Sequence, residues 1–109
     1  MSRYFVDKKE CARHTIFPGV TIHAMGGEHM LVSLVEFEPG AIVEEHSHPH
    51  EQMGMVLSGN AHFFVGDEDR VLTAGEMYRI PGGVKHRVVA VDGPATALDI
   101  FHPVRNEYL

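Results

Sequence analysis

The feature that most constrains the fold is a series of turn signals at short intervals. Glycine and proline interrupt the chain at spacings of roughly 7 to 12 residues, and the intervals are rich in β-branched and aromatic residues. The signals are Pro18-Gly19, Gly26-Gly27, Pro39-Gly40, Gly59-Asn60, Gly66-Asp67, Gly75, Gly82-Gly83 and Gly93-Pro94. This spacing predicts many short strands, and therefore a small β-sandwich or barrel.

The predicted strands lie between these signals and form one all-β domain over residues 1–109. They are Val20–Met25, Met30–Glu38, Gln52–Leu57, Ala61–Val65, Val71–Thr73, Met77–Ile80, Lys85–Val91 and Ala95–His102. No window shows a 3.6-residue apolar period, and Asp7–His14 is expected to form at most a short helical turn. Five methionines in or beside the strands are interpreted as core filling: Met25, Met30, Met53, Met55 and Met77.

Composition excludes several classes of partner. The chain of 109 residues has a formal charge of −6, which argues against binding to nucleic acid or an anionic membrane. No apolar run approaches the roughly 18 residues of a membrane span. Cys11 is the only cysteine, so an internal disulfide is impossible. The start of the sequence lacks a hydrophobic signal region, and a cytoplasmic location is expected.

Self-association is expected because small domains gain proportionally more by burying surface, and two-fold dimers are the commonest oligomers. Phe63 and Phe64 are adjacent, so in a strand they face opposite sides. One of them is therefore expected at a second sheet or a subunit contact. A homodimer is the predicted assembly.

Nine histidines in so short a chain indicate a metal site. His46, His48 and His50 alternate and are followed by Gln52, and a strand places alternate side chains on one face. Several imidazoles from one segment suit a borderline divalent ion. One more histidine, His86, follows a Pro-Gly-Gly turn. Spacing alone leaves His50 and Gln52 as alternatives for the fourth ligand.

The spacing of these residues also matches two motifs. Residues 40–59 follow G-x5-H-x-H-x(3,4)-E-x6-G, with Gln52 in place of the glutamate. Residues 75–90 follow G-x5-P-x-G-x2-H-x3-N, with Ala90 in place of the asparagine. In these motifs the chain resembles the cupin superfamily.

The cupin resemblance implies a conical β-barrel, also described as a jelly roll or double-stranded β-helix. It implies one divalent metal ion held by His46, His48, Gln52 and His86, and this spacing favours Gln52 over His50. Nickel, zinc, iron, manganese and copper all suit imidazole ligands. Since these four ligands are neutral, the metal charge stays uncompensated, which favours an anionic substrate.

The C-terminal stretch LDIFHPVRNEYL narrows the resemblance. Asp99 and Phe101 share one strand face, and Leu98 and Ile100 share the other; the pattern alone allows Leu98 and Ile100 to form the core with Asp99 solvated. Together with Arg105, the stretch resembles the KdgF-type cupins of pectin and alginate degradation. These convert 4,5-unsaturated monouronates into linear 5-keto-4-deoxyuronates.

The KdgF-type resemblance implies specific roles at the C-terminus. Asp99 would be the general acid and base, Phe101 would pack on the sugar, and Arg105 would complete the catalytic pocket and bind hydroxyls or the carboxylate. Two alternatives stay open: a cupin dioxygenase with an iron or manganese three-histidine centre, and a non-catalytic sugar-sensing cupin. The sequence does not choose between pectin- and alginate-derived substrates.

Overall fold

The computed structural model describes residues 2–109 and consists almost entirely of β-strands. The strands are β1 (Ala12–Phe17), β2 (Val20–Gly26), β3 (Leu31–Phe37), β4 (Ile42–His46), β5 (Glu51–Val65), β6 (Glu68–Thr73), β7 (Met77–Ile80) and β8 (His86–His102). Two short 3-10 helices, Lys8–Glu10 and Asn106–Tyr108, precede and follow them. The all-β fold class predicted from the turn spacing is confirmed.

Two long strands hold the barrel together. The 15 residues of β5 and the 17 residues of β8 pair antiparallel along most of their length. The larger sheet has the order β1-β2-β3-β8-β5-β7 and uses the second half of β8 and the first half of β5. The smaller sheet has the order β4-β8-β5-β6 and uses the other halves. Since both sheets share β5 and β8, they fold over one interior.

The core lies between the sheets and is built from alternate residues of each strand. On β3, for example, the buried positions are every second residue from Leu31 to Phe37. The largest fully buried apolar side chains are Phe101, Ile22, Leu31, Ile80, Val20 and Val56. Removing each such side chain from water stabilises the fold by about 1.5–3 kcal/mol.

Two of the predicted turns prove to be bends inside strands. Gly59-Asn60 lies within β5 and Gly93-Pro94 lies within β8, so four predicted strands are really two long ones. Gly59 and Gly93 have φ angles of 73° and 124°, and the β5–β8 register shifts between Ser58 and Asn60. Here the glycines allow the strands to bend from one sheet into the other rather than to reverse.

The short helical turn expected at most over Asp7–His14 is present as the 3-10 helix Lys8–Glu10, but the end of that segment belongs to strand β1, which was not predicted and begins at Ala12. The methionines do not fill the core: four are exposed and Met55 is half-buried, because those on strands occupy outward positions. The four exposed methionines are Met25, Met30, Met53 and Met77.

Phe63 and Phe64 face opposite sides of β5, as expected for adjacent strand residues. Phe63 is buried in the core, whereas Phe64 is half-buried on the outside of the smaller sheet. Its ring stacks on His62 at 4.0 Å and lies under the Arg87 guanidinium at 4.1 Å. Phe64 is therefore already covered within the chain.

Across residues 2–109, no helix has the length and apolar character to cross a membrane.

Candidate metal centre

Three histidines converge at one end of the barrel. His46 ends β4 and is the cross-strand partner of His86, the first residue of β8, while His48 lies in the loop between β4 and β5. One ligand nitrogen of each lies within 4.8 Å of the others. The described residues place His50 outside this group of nitrogen donors. The structure thus brings together the three histidines on which the two sequence motifs converge.

Each of the three imidazoles is oriented by a backbone carbonyl. The Nδ1 atoms of His46, His48 and His86 lie 2.8, 3.1 and 2.9 Å from the carbonyl oxygens of Glu44, His50 and Val84 respectively. A carbonyl only accepts, so each neutral ring carries its proton on Nδ1 and leaves the Nε2 lone pair free. The same arrangement orients metal-binding histidines in general.

Burial keeps two of these rings neutral. It lowers the pKa of His86 to about 4 and also lowers the pKa of His48, with the positive charges of neighbouring groups acting in the same direction. The neutral imidazole is the form that binds a metal ion. In addition, the Nε2 atom of His86 is buried without a hydrogen-bond partner, which is an unfavourable state for a polar atom unless a ligand satisfies it.

Gln52 is the first inward residue of β5 and faces the same centre. Its Oε1 atom lies 3.0 Å from Nε2 of His48. Its amide also hydrogen-bonds to Asp99, and because an ionised carboxylate only accepts, the Gln52 nitrogen donates that bond. The Gln52 oxygen and the unprotonated His48 nitrogen therefore point lone pairs at each other, an arrangement that a cation between them would stabilise. Three imidazole nitrogens and one amide oxygen fit a divalent metal ion.

The Pro-Gly-Gly turn before β8 is packed against the histidine loop. The backbone N–H of Gly83 donates to the carbonyl of His48 at 2.8 Å. Gly82 sits so close to the carbonyl of Pro49 that an added Cβ would overlap the oxygen. Two glycines therefore allow the backbones to touch, and this contact sets the position of His86 relative to His48.

Asp99 lies next to Gln52 and is buried. It is an inward residue of β8 and accepts a short hydrogen bond from the Tyr78 hydroxyl. Burial raises the pKa of Asp99 to about 6, and the hydrogen bonds from Tyr78 and Gln52 and the charge of Arg105 oppose this effect. Burial, followed by the charge of Asp99, raises the pKa of Tyr78, so its hydroxyl stays protonated and keeps donating.

Gly54 makes the contact between Tyr78 and Asp99 possible. On β5 it is the register partner of Tyr78 on one side and of Asp99 on the other. A Cβ at this position would overlap the Tyr78 hydroxyl and come within 2.6 Å of the Leu98 carbonyl. Neither Tyr78 nor Gly54 was predicted as a site residue. The only available signal was a glycine inside a predicted strand, which often marks a close approach of another group.

Phe101 and Arg105 border the cavity beside the histidines. His48 packs edge-on to Phe101 with ring centroids 5.6 Å apart. The Arg105 guanidinium lies over Phe101 at 5.1 Å and over Tyr108 at 4.2 Å, and its Nε donates to Glu107 at 2.7 Å. These contacts hold Arg105 in place although it follows the last strand, and its side chain forms part of the cavity wall.

The cavity itself is small. The space open to water-sized molecules is about 30 Å³, which holds one or two waters. Arg105 and Tyr108, both in the C-terminal segment, belong to its lining. A sugar-sized molecule therefore requires side chains of the lining to move.

Comparison with known proteins agrees with the two motifs. The family model described as Cupin domain matches residues 33–101. The chain belongs to the cupin family. This cupin is similar to the solved structure of KdgF from a Halomonas species, with 26% identity, a TM-score of 0.87 and coverage of 96% of this chain and 99% of that one.

Two further relatives span the same length. An RmlC-like cupin from Shewanella frigidimarina is 26% identical, with a TM-score of 0.89 and coverage of 99% of this chain and 97% of that one. An uncharacterized protein of Streptomyces coelicolor is 24% identical over 103 residues, which are 94% of this chain and 97% of that protein. The cupin fold and the resemblance to KdgF, both expected from the motifs, are confirmed.

Proposed function

We propose that this cupin is a metal-dependent enzyme that converts 4,5-unsaturated monouronates into linear 5-keto-4-deoxyuronates. The observation that carries the proposal is the position of Asp99, a buried carboxyl group linked through Gln52 to the three-histidine centre. Phe101 and Arg105 border the same cavity. The likeness to KdgF over nearly the whole chain supports the assignment.

The metal would be held by the Nε2 atoms of three histidines and by the Oε1 atom of Gln52. When bound, a divalent ion supplies Lewis-acid polarisation of substrate oxygens. His46, His48 and His86 contribute no charge when neutral, so the positive charge of the ion is available to an anionic ligand. Zinc, nickel, iron, manganese and copper remain the candidates, because imidazole accepts each of them.

Asp99 is placed to move the proton that the reaction needs. The substrate is a cyclic enol ether, and its ring opens when C4 gains a proton and C5 gains the oxygen of water. The ring C5–O bond then breaks as C5 becomes a carbonyl, and the C1 hydrate loses water, so the net change is an isomerisation. A carboxyl group with a pKa of about 6 can donate and accept near neutral pH.

The neighbouring side chains orient the carboxyl group and the sugar. The Tyr78 hydroxyl and the Gln52 amide both donate to Asp99, and these two bonds restrict the rotation of the carboxyl group. Arg105 supplies a planar, permanently charged donor for the uronate carboxylate or hydroxyls. Phe101 offers an apolar ring to the sugar face.

The direct test is turnover of lyase-generated unsaturated galacturonate, followed as loss of the ultraviolet absorbance of the conjugated double bond. Unsaturated monouronates from alginate are tested in parallel. We expect absorbance to fall with the metal-loaded protein and not with protein stripped by a chelator. Oxygen uptake during turnover would indicate a dioxygenase instead, and binding without turnover would indicate a sensor.

The metal assignment has its own test, independent of activity. Elemental analysis and an anomalous map of metal-loaded crystals are expected to show one ion per chain, at about 2.0–2.2 Å from the three histidine nitrogens. His50→Ala is the matched control for His48→Ala, because only His48 belongs to the converging nitrogens. Loss of the ion in both variants, or in neither, would contradict the ligand set.

A further inference from the structure

One inward residue of β3 is polar although its neighbours on that face are apolar. The residues of β3 that face the core are Leu31, Ser33, Val35 and Phe37. Ser33 is completely buried, with 0% of its surface exposed. Its Oγ atom has no hydrogen-bond partner in the part of the chain that the structure describes, residues 2–109. A buried polar atom without a partner is unfavourable, so the position of this hydroxyl group requires an explanation.

Small size alone does not explain Ser33. Where the core of this protein needs a small side chain, it repeatedly uses alanine, which carries no polar side-chain atom. Buried alanines occur at six positions: Ala24, Ala41, Ala61, Ala90, Ala95 and Ala97. Ala24 lies directly beside Ser33 as its register partner on β2. An alanine at position 33 would fit among the same neighbours, so what the serine adds is the hydroxyl group.

The polar neighbour of Ser33 across the strands is Asp99. The two residues are register partners on β3 and β8, and both side chains face the interior. Directly opposite residues of an antiparallel pair have Cβ atoms about 4.5–5.5 Å apart, so a rotation of the Ser33 side chain brings its hydroxyl within hydrogen-bond reach of the carboxyl group. The diagonal neighbours on β8 are Ala97 and Phe101, whose side chains offer no hydrogen-bonding atom.

Asp99 therefore lies between two hydroxyl groups in one inward row across the larger sheet. In register order the row contains Ala24, Ser33, Asp99, Gly54 and Tyr78. From the β7 side, the Tyr78 hydroxyl reaches past Gly54 and donates to Asp99. From the β3 side, the hydroxyl of Ser33 is adjacent and unpaired. A carboxylate has about four acceptor positions, so the bonds from Tyr78 and Gln52 leave room for a third.

We propose that Ser33 is a positioning residue for Asp99 and holds the carboxyl group from the side opposite to Tyr78. This inference rests on the proposed function, in which Asp99 moves a proton. A hydroxyl group both donates and accepts, so Ser33 can bond to Asp99 as a carboxylate and as a protonated carboxyl group. The residues that line the cavity do not include Ser33. Ser33 therefore acts on the reaction through Asp99 and not by contact with the sugar.

The first test is the kinetics of Ser33→Ala, which removes only the hydroxyl group. On unsaturated galacturonate, we expect the turnover number to fall by about 3- to 10-fold, because only the part of a hydrogen bond that strengthens in the transition state counts. The Michaelis constant should stay near that of wild type, since Ser33 does not touch the substrate. Ser58→Ala is the matched control. It removes a strand hydroxyl that is bonded to Thr96 at 2.6 Å, away from the site, and should leave both constants unchanged.

A double-mutant cycle in the same assay shows whether Ser33 acts through Asp99. When Ser33→Ala is added to Asp99→Asn, the residual turnover should change by less than about 2-fold, because the effects of two groups that act as a unit are not additive. Equal losses in the wild-type and Asp99→Asn backgrounds would overturn the proposal. A wild-type turnover number in Ser33→Ala would also overturn it.

Unfolding by denaturant tests the same contact without any activity. A hydroxyl group that stays unpaired in an apolar core opposes folding, so its removal would leave the stability unchanged or raise it. If Ser33 bonds to Asp99, Ser33→Ala should instead raise the unfolding equilibrium constant by about 3- to 10-fold. In an Asp99→Ala background this cost should disappear. A variant as stable as wild type would overturn the proposal, and so would a cost that persists without the Asp99 carboxyl group.

The proposed function and the role of Ser33 fail separately in these experiments. Absence of turnover in wild type would contradict the function, while the unfolding comparison still decides whether Ser33 bonds to Asp99. Turnover in wild type together with unchanged kinetics and stability in Ser33→Ala would contradict the role of Ser33 alone. Circular dichroism establishes that each variant folds, and one protein concentration is used throughout.

Discussion

Asp99 and Glu36 carry carboxyl groups on neighbouring strands of one sheet, but they lie on opposite faces and their pKa values are shifted in opposite directions. Asp99 on β8 faces the interior, where burial raises its pKa to about 6. Glu36 on β3 faces outward, where chiefly the hydrogen bond from Lys8, and also that from His23, holds its pKa below the usual range. The inner group can therefore gain or lose a proton near neutral pH, whereas the outer one is a charged partner of an ion pair.

The two faces of the sheet also differ in polarity along β5 and β8. Gln52 and Asp99 point inward although they are polar, while Met53 and Ile100 point outward although they are apolar. Alternation predicts where a strand lies, but it assigns the faces by assuming that apolar residues are buried. That assumption fails where the interior holds a polar site and the exterior holds an apolar surface.

The inner carboxyl group gives the largest expected effect. Asp99→Asn keeps the size of the side chain and the contact with Tyr78 but removes the transferable proton. We expect the turnover number to fall by about 10²–10⁴-fold with metal content unchanged. Glu36→Gln makes the same chemical change on the outer face and should keep full activity. Native-rate turnover by Asp99→Asn would mean that the proton comes from elsewhere.

Much of the fold follows from the sequence because strand and turn signals are local. The segments Val20–Met25 and Met77–Ile80 were predicted close to their observed limits. The bends at Gly59 and Gly93 were misread as turns, since a glycine with positive φ serves either a reversal or a bend. Which one occurs depends on pairing with a distant strand.

The site was predictable only in part. The motif spacing indicated His46, His48 and His86, and the structure brings their nitrogens together. Tyr78 was missed because its role depends on a gap left by Gly54 on the neighbouring strand, which is a long-range contact. The ligand set, the homodimer and the cytoplasmic location stay predictions.

Substitution of Arg105 has the second largest expected effect. It tests whether this side chain contributes to substrate binding in the cavity. Arg105→Ala removes a charged donor from the cavity wall, and loss of such a bond reduces binding by about 10–100-fold. We expect a higher Michaelis constant with a smaller change in the turnover number. Steady-state kinetics on unsaturated galacturonate measure both. Arg87→Ala, on the outside over Phe64, is the control.

Tyr78→Phe has a smaller expected effect because it leaves Asp99, the proposed proton donor, in place. The variant loses the hydrogen bond to Asp99 but keeps the ring, which packs on Phe63 at 4.3 Å. A bond to a charged group contributes about 1.5–3 kcal/mol, but only the part that is stronger in the transition state than in the ground state affects the turnover number, so we expect a fall of about 10-fold. The Michaelis constant should change little. An unchanged turnover number would show that Asp99 needs no orientation by Tyr78, and Tyr4→Phe controls for the substitution.

Glu36→Gln gives the smallest expected effect and concerns stability alone. Glu36 contacts Lys8 and His23, each at 2.8 Å, but its carboxylate is well exposed, so the loss is expected to stay below about 1 kcal/mol. The sign with pH follows from the lowered pKa of Glu36. A carboxyl group that is more acidic in the folded state stabilises the fold above its unfolded pKa of about 4.3, and this stabilisation disappears as pH falls through the folded value.

Denaturant midpoints of wild type and Glu36→Gln should therefore differ slightly at pH 7 and converge toward acid. Measurements at one low protein concentration keep any self-association equal in the two proteins. A difference that grows on acidification would have the wrong sign for a Glu36 ion pair.

Since the carboxyl group of Asp99 has its pKa raised rather than lowered, Asp99→Asn should behave oppositely: the buried charge that it removes opposes folding most strongly at high pH. The pH dependence of unfolding in these two variants therefore reports the different environments of the inner and outer faces of one sheet.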